Sequence, residues 1–202
     1  MTYSNTARTA PLDRRAAVLG IVEGRRDLLA VASLGSPTYD LAAAGDHERN
    51  FYLWGAMGGA ATFGLGLALA QPEVPVLVLL GDGECLMGLG ALATIAVQRP
   101  SNLSIVVLDN GLYGETGAQR SHTSGGLTKL DQVARACGIS ETMCVETEAQ
   151  VRELAERVNH RGAGPLVAVV RINGEEQPRC LPSRDGVALK TRMRHALGLE
   201  SM

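Results

Sequence analysis

The feature that most constrains this chain is a series of short runs rich in valine, leucine and isoleucine, each of strand length and separated by stretches of helical pattern. The runs cover 28–32, 76–80, 104–108, 143–145 and 166–172. Between them, 16–22, 55–70, 86–97, 130–136 and 149–159 carry apolar residues at three- and four-residue spacing or strong alanine content, the pattern of helices with one buried face. Alternation of this kind predicts an α/β fold, a doubly wound and mostly parallel sheet with helices on both faces. Aromatic residues make up only 3% of the chain, so the core must be built from Ala, Val, Leu and Gly, which suits helices packed closely on a sheet.

At 202 residues and 46% apolar content, the expectation is one domain over 1–202, with 173–202 as a tail of Pro, Glu and Arg leading into a short helix-like end. The formal charge is −2 and basic residues are scattered apart from Lys190, Arg192 and Arg194, so no footprint for nucleic acid is expected. Cys85, Cys137, Cys144 and Cys180 form no CxxC pair. That spacing argues against zinc, an iron–sulfur cluster or a disulfide framework, and for reduced thiols in a cytoplasmic protein. No stretch reaches the ~20 uninterrupted apolar residues of a membrane span.

In doubly wound sheets ligands bind outside the carboxyl ends of the strands. Here those ends carry polar, glycine-bearing turns: Ser33-Leu34-Gly35-Ser36-Pro37, Gly81-Asp82-Gly83 and Asp109-Asn110-Gly111. Asp82 and Asn110 then stand at neighbouring strand ends, where a carboxylate and an amide oxygen, with a backbone carbonyl, water and phosphate oxygens, make the hard octahedral set that Mg²⁺ prefers. Glycine beside them lets backbone approach phosphate closely. Taken alone, Gly-Asp-Gly is equally an ordinary strand-to-helix turn, with Asp82 as a helix cap and Asn110 tolerating a left-handed conformation.

The longer pattern narrows the choice. Gly81-Asp82-Gly83 is followed by 26 residues and then Asn110, inside the block DNGLYGETG, with an apolar strand before each half. This resembles the diphosphate-binding signature of thiamine diphosphate enzymes. The blocks LGSPTYDL, FYLWGAMGGAATFGLGLALAQP, GDGECLMGLGALATIA and NLSIVVLDNGLYGETGAQRSHTS, within about 35–172, are similar to sulfopyruvate decarboxylase beta subunits and phosphonopyruvate decarboxylases. The resemblance implies that Asp82, the Asn110 side chain and the Leu112 carbonyl hold Mg²⁺. It also implies that Gly81, Gly83, Glu84, Tyr113 and Gly114 lie along the diphosphate of the coenzyme.

By the same resemblance, Gly55, Ala56 and Met57 border the aminopyrimidine, the Gly55 carbonyl accepting from its amino group and Met57 wedging the bent coenzyme. An unbranched, bulky side chain suits that wedge. Glu84 departs from a common version of the motif, which has serine there; a carboxylate beside phosphates repels them, so Glu84 is expected to turn away, cap the helix that follows Gly81-Asp82-Gly83 or reach the metal through water. His122 follows in a segment, Gly114 to His122, that resembles the family's mobile loop, and it is a candidate contact for substrate or intermediate. His47 is expected in a solvated loop, and Cys85 as a packing residue rather than a nucleophile.

The glutamate that activates the pyrimidine belongs, in this family, to a separate domain of similar size for which the chain has no room. The resemblance therefore implies a partner alpha subunit supplying that glutamate, in a hetero-oligomer of paired alpha and beta subunits, with the glycine-rich face of 55–66 turned to it. The implied activity is decarboxylation of a small anionic 2-oxo acid to an aldehyde and carbon dioxide. A carboligase or acyl transferase subunit, or a non-catalytic scaffold subunit, are the other readings.

Overall fold

The computed structural model describes residues 11–160, 162 and 164–199. Its elements in chain order are α1 (Arg14–Val22), β1 (Leu29–Ala32), α2 (Ser36–Ala43), β2 (Asn50–Tyr52), α3 (Ala60–Ala70), β3 (Val76–Gly81), α4 (Asp82–Met87) and α5 (Gly90–Gln98). There follow β4 (Leu103–Asp109), β5 (Leu112–Tyr113), a 3-10 turn (Gly114–Thr116), β6 (Gln119–Arg120), α6 (Leu130–Ala136), β7 (Glu141–Val145), α7 (Glu148–Val158), β8 (Leu166–Arg171) and α8 (Gly186–Ala196). A six-stranded sheet runs in the order β2-β1-β3-β4-β8-β7, with every pairing parallel. The small β5–β6 hairpin is antiparallel and separate from it.

Each central strand feeds both faces of the sheet. Leu77 and Leu79 of β3 join Val106 and Leu108 of β4 in one core with α1, α2 and α7, while Val76, Val78 and Leu80 join Ile105 and Val107 in a second core with α3, α5 and α6. The period of two in a strand sends successive side chains to opposite sides, and both sides are covered, so the central strands read as continuous apolar runs. Full burial of each such side chain contributes roughly 1.5–3 kcal/mol. On the second face α3 lies so close to the sheet that a Cβ at Gly64 would come within 2.2 Å of Val78 Cγ2. The Asn102 side-chain amide, buried at the start of β4, donates to the carbonyls of Ala68, Gln71 and Val74 and so ties the end of α3 to the sheet.

Two helical expectations change. The stretch 55–70 is helical only from Ala60; residues before it form a loop in which Trp54 and Ala56 have φ of 54° and 56° and Gly58 has 87°. The stretch 86–97 is split into α4 and α5 at Gly88, because Gly88 is the floor on which that loop rests: a Cβ there would lie 2.1 Å from the Gly58 carbonyl oxygen. Helix α2 and edge strand β2 were not expected from the apolar pattern. α2 starts with Pro37 in its first turn after Gly35 at φ 78°, a helix start that punctuation rather than periodicity announces.

The direction of chain travel reverses between β1 and β3. From β1 the chain moves out to β2, and from β3 it moves the other way to β4. The crevice where helices diverge from such a point is the ligand site that doubly wound topology provides.

Candidate active site

That crevice is present. Leu34, Ser36 and Pro37 after β1, Gly81 to Glu84 at the end of β3, and Asn110 with Leu112 to Thr116 after β4 line a cleft open to solvent, bordered further by Met57, Leu108 and Ile172. Of the residues singled out in the sequence, Met57, Gly81, Asp82, Gly83, Glu84, Asn110, Leu112, Tyr113 and Gly114 stand on this wall. Gly55, Ala56 and His122 are not lining residues.

Register brings the strand tips together. Gly81 pairs with Leu108 across β3 and β4, so Asp82 and Asp109 follow side by side and Asn110 comes next. Gly81 caps α4 and Asp82 is its first residue, a correction to the cap reading of Asp82. Asp82 is buried, and its Oδ2 faces two hydroxyls: Ser121 Oγ bonds to it closely and Thr123 Oγ1 stands 3.0 Å away. Thr123 Oγ1 is also 2.7 Å from Asp109 Oδ1. Burial first, and then the charge of Asp109, push the Asp82 carboxyl up, against the pull of the Ser121 and Thr123 hydroxyls.

Such a carboxylate is short of positive charge, which a divalent cation at the pocket side would supply. Both hydroxyl contacts fall on Oδ2, so among the described residues no side chain donates to Oδ1. Together with the Asn110 amide and the Leu112 carbonyl on the same wall, the donors are all oxygen, which suits Mg²⁺ and not a thiolate-seeking metal. Asn110 Oδ1 accepts the Leu112 N–H at 2.9 Å, fixing the turn and keeping a lone pair for a second partner. Asp109 is the brace behind it: Oδ1 accepts the Gly111 N–H at 3.1 Å and Oδ2 is paired with Arg171 from β8.

Gly83 is required by Tyr113, whose ring would lie 2.5 Å from a Cβ at position 83. The segment after the Asp109-Asn110-Gly111 turn folds back as the β5–β6 hairpin, and its far end returns Ser121 and Thr123 to the buried carboxylates. His122 between them points outward, its Nδ1 3.3 Å from the Tyr113 hydroxyl and its ring edge-on to the tyrosine. His47 lies in a loop where its Nδ1 accepts the Arg49 N–H at 3.0 Å.

Glu84 reaches across to cap a neighbouring helix. Its Oε1 accepts the Ala60 N–H at 3.3 Å, where α3 has no cap of its own, and the Gly58 N–H faces it as well. Burial raises this carboxyl to about 7, against those two amide donors. Cys85 beside it is buried, with its thiol pushed up to about 12 by burial, which makes it inert packing.

The sequence reading passed over Ser121, Thr123 and Arg171 as site residues. Their only sequence signal is hydroxyls in a short polar segment and a cation at the end of a strand, neither of which names its partner.

Comparison with known proteins gives the same direction. Residues 37–170 match the family described as thiamine pyrophosphate enzyme, C-terminal TPP binding domain. The sulfopyruvate decarboxylase subunit beta of Methanocaldococcus jannaschii is 39% identical over 145 residues, 72% of this chain and 76% of that protein. The subunit of the same name from Methanococcus maripaludis is 36% identical over 78% of this chain and 84% of its own length. The phosphonopyruvate decarboxylase of Streptomyces viridochromogenes is 44% identical over 67% of this chain, but only 34% of that longer protein is covered. In fold, an X-ray structure of a Mycobacterium smegmatis protein assigned to the thiamin diphosphate-dependent enzymes superposes with a TM-score of 0.71 at 22% identity, over 83% of this chain and 33% of that one. On the match over 37–170, and on a sheet whose strand tips carry Gly81-Asp82-Gly83 and Asn110 into one cleft, the chain belongs to the thiamine pyrophosphate enzymes, as their C-terminal TPP-binding domain.

Proposed function

We propose that this chain is the beta subunit of a thiamine diphosphate- and Mg²⁺-dependent decarboxylase that converts a small anionic 2-oxo acid, of the sulfopyruvate or phosphonopyruvate kind, to its aldehyde and carbon dioxide. The observation that carries the reading is the meeting of Asp82, Asn110 and Met57 on one cleft, in a chain whose relatives are named as decarboxylases. In this reading Asp82, the Asn110 amide oxygen and the Leu112 carbonyl hold the metal. Gly81, Gly83, Tyr113 and Gly114 shape the diphosphate wall, and Glu84 acts at one remove by fixing the loop that bears Met57. Gly55, Ala56 and Met57 receive the aminopyrimidine end, and His122 is kept as a contact for substrate entering from the hairpin side.

The coenzyme, when bound, supplies a carbon nucleophile and an electron sink for loss of carbon dioxide. The chain's part is to anchor the phosphates through the metal, hold the coenzyme bent, and keep the cleft apolar below it with Leu34, Pro37, Leu108 and Ile172.

The partner belongs to the same proposal. The relatives named as beta subunits are matched over 76% and 84% of their length, which supports a subunit of this size working with an alpha subunit that brings the activating glutamate. Met57, Phe63 and Met87 are exposed apolar side chains on the Met57 loop, on α3 and on α4, the surface such a subunit would cover. A cytoplasmic location completes the reading; no helix among the described residues is long and apolar enough to cross a membrane.

The test is reconstitution with the alpha subunit, Mg²⁺ and thiamine diphosphate, followed by assay of aldehyde and carbon dioxide from sulfopyruvate and from phosphonopyruvate. Release of aldehyde in the complex, and none from either subunit alone, is the expected result. Full turnover by this chain alone would overturn the split enzyme, and condensed product in place of aldehyde would overturn the decarboxylase.

A further inference from the structure

The family match ends at residue 170, and the segment from Asn173 to Asp185 beyond it has neither helix nor strand. It nevertheless follows a defined course over the protein. Gln177 donates to Asp13 at 3.1 Å, the Pro178 carbonyl accepts from Arg15, and the Arg179 guanidinium lies 5.6 Å over the Tyr39 ring. At its end the Ser183 carbonyl accepts the Trp54 indole N–H at 2.8 Å, and the Arg184 guanidinium stands 4.7 Å over the same indole. Tyr39 is the other neighbour of that ring, with centroids 6.2 Å apart. The segment is then fastened by α8, which Asp185 caps, which buries Leu189 and Met193, and whose Arg192 reaches Asp46 and the Asn50 carbonyl.

Trp54 is where the Met57 loop begins. An aromatic residue at φ 54° is a strained conformation that persists only where its surroundings hold it. Two residues on, Ala56 is left-handed as well, and Met57 then projects to the cleft. The far end of the loop is held by Glu84 through the Gly58 and Ala60 amides. The near end has the tail.

We propose that Ser183 and Arg184 of the tail are positioning residues, which hold Trp54 in its left-handed conformation and thereby set the Met57 loop for the coenzyme. The inference rests on the reading of the cleft as a thiamine diphosphate site, but the clamp on the loop can be measured without it. Trp54 is the chain's single tryptophan, so its emission reports on the clamp directly.

The experiment compares wild type, Arg184→Ala and Arg184→Lys as full-length chains, and for coenzyme measurements as the complex with the alpha subunit. In Arg184→Ala the Trp54 emission should shift and hydrogen exchange at amides 55–58 should quicken, with the melting temperature unchanged. The KM for thiamine diphosphate should rise about two- to five-fold with kcat kept, the range expected from losing one exposed cation–π contact. Arg184→Lys should restore most of each change. Wild-type emission, exchange and coenzyme KM in Arg184→Ala would overturn the proposal, as would changes that appear only together with a lower melting temperature. If the wild-type complex takes up no thiamine diphosphate, the reading of the cleft fails, while emission and exchange still decide whether the tail holds the loop.

Discussion

The strand-tip turns at Asp82 and Asn110 and the Met57 loop face each other across one cleft, yet they are built on opposite principles. The strand-tip turns are local: two adjacent parallel strands end in register, and residues at or just beyond each end supply Asp82, Asp109 and Asn110. Their two carboxylates are buried, and Ser121, Thr123 and Arg171 bond to them. The Met57 loop is held from a distance. Glu84, Gly88 and the tail, none of them its neighbours in sequence, fix a backbone that is left-handed at Trp54, Ala56 and Gly58. A site can thus combine a part that the strands dictate with a part that only the finished fold holds in shape.

If the strand-tip turns anchor the coenzyme through a metal, Asp82→Ala should have the largest effect of any single change in the cleft. Metal-dependent uptake of thiamine diphosphate by the complex, followed by calorimetry, should fall by at least about a hundredfold, the loss of a charge-assisted ligand worth roughly 3 kcal/mol. Retained uptake would remove the anchor from this side of the comparison.

The second effect concerns Glu84, the link between the two regions. The folded protein holds a proton on this carboxyl up to about pH 7, whereas the unfolded chain has released it above about 4.5. The folded state therefore binds more protons in that window, and this group's contribution to stability falls as pH rises through it. Metal-free wild type should lose up to about 3 kcal/mol relative to Glu84→Gln between those values, measured by urea unfolding in EDTA. Parallel pH profiles for the two proteins would mean that Glu84 does not carry the link.

A Gly88→Ala change attacks the loop from beneath. The added methyl meets the Gly58 carbonyl, backbone that cannot rotate out of the way, and should cost about 2 kcal/mol while leaving Mg²⁺ affinity within twofold. Equal loss of metal affinity would show that the two regions are one unit. Thr123→Val, of nearly the same shape, tests the opposite side. It should weaken Mn²⁺ binding, read by electron paramagnetic resonance, about tenfold without altering Trp54 emission.

This contrast also governs what the sequence discloses. Strands β3, β4 and β8 were legible because residues buried on both faces give unbroken apolar runs, and Asp82 and Asn110 were legible because strand ends map sequence onto space. The loop before Ala60 looks helical only because the alanine-rich pattern of 60–70 carries back across 55–59, where three glycines favour a loop, and the contacts that hold that loop come from α4 and the tail. Ser121 and Thr123 were invisible for a related reason: a hydroxyl says nothing of which carboxylate it will meet. Glu84 was legible as a departure from a motif, though not as the cap of a helix more than twenty residues earlier in the chain.

The strand order has a consequence for synthesis on the ribosome. Within the sheet β7 pairs only with β8, which is made after it. From Val145 to Leu166 the ribosome adds 21 residues, so β7 waits about one to four seconds for a partner at ordinary elongation rates. Glu141, Thr142, Met143 and Cys144 are not fully buried even in the finished protein, and only Val145 is. While it waits, β7 therefore presents few side chains that the finished sheet buries, which lowers the chance that two nascent chains stick to each other at that point.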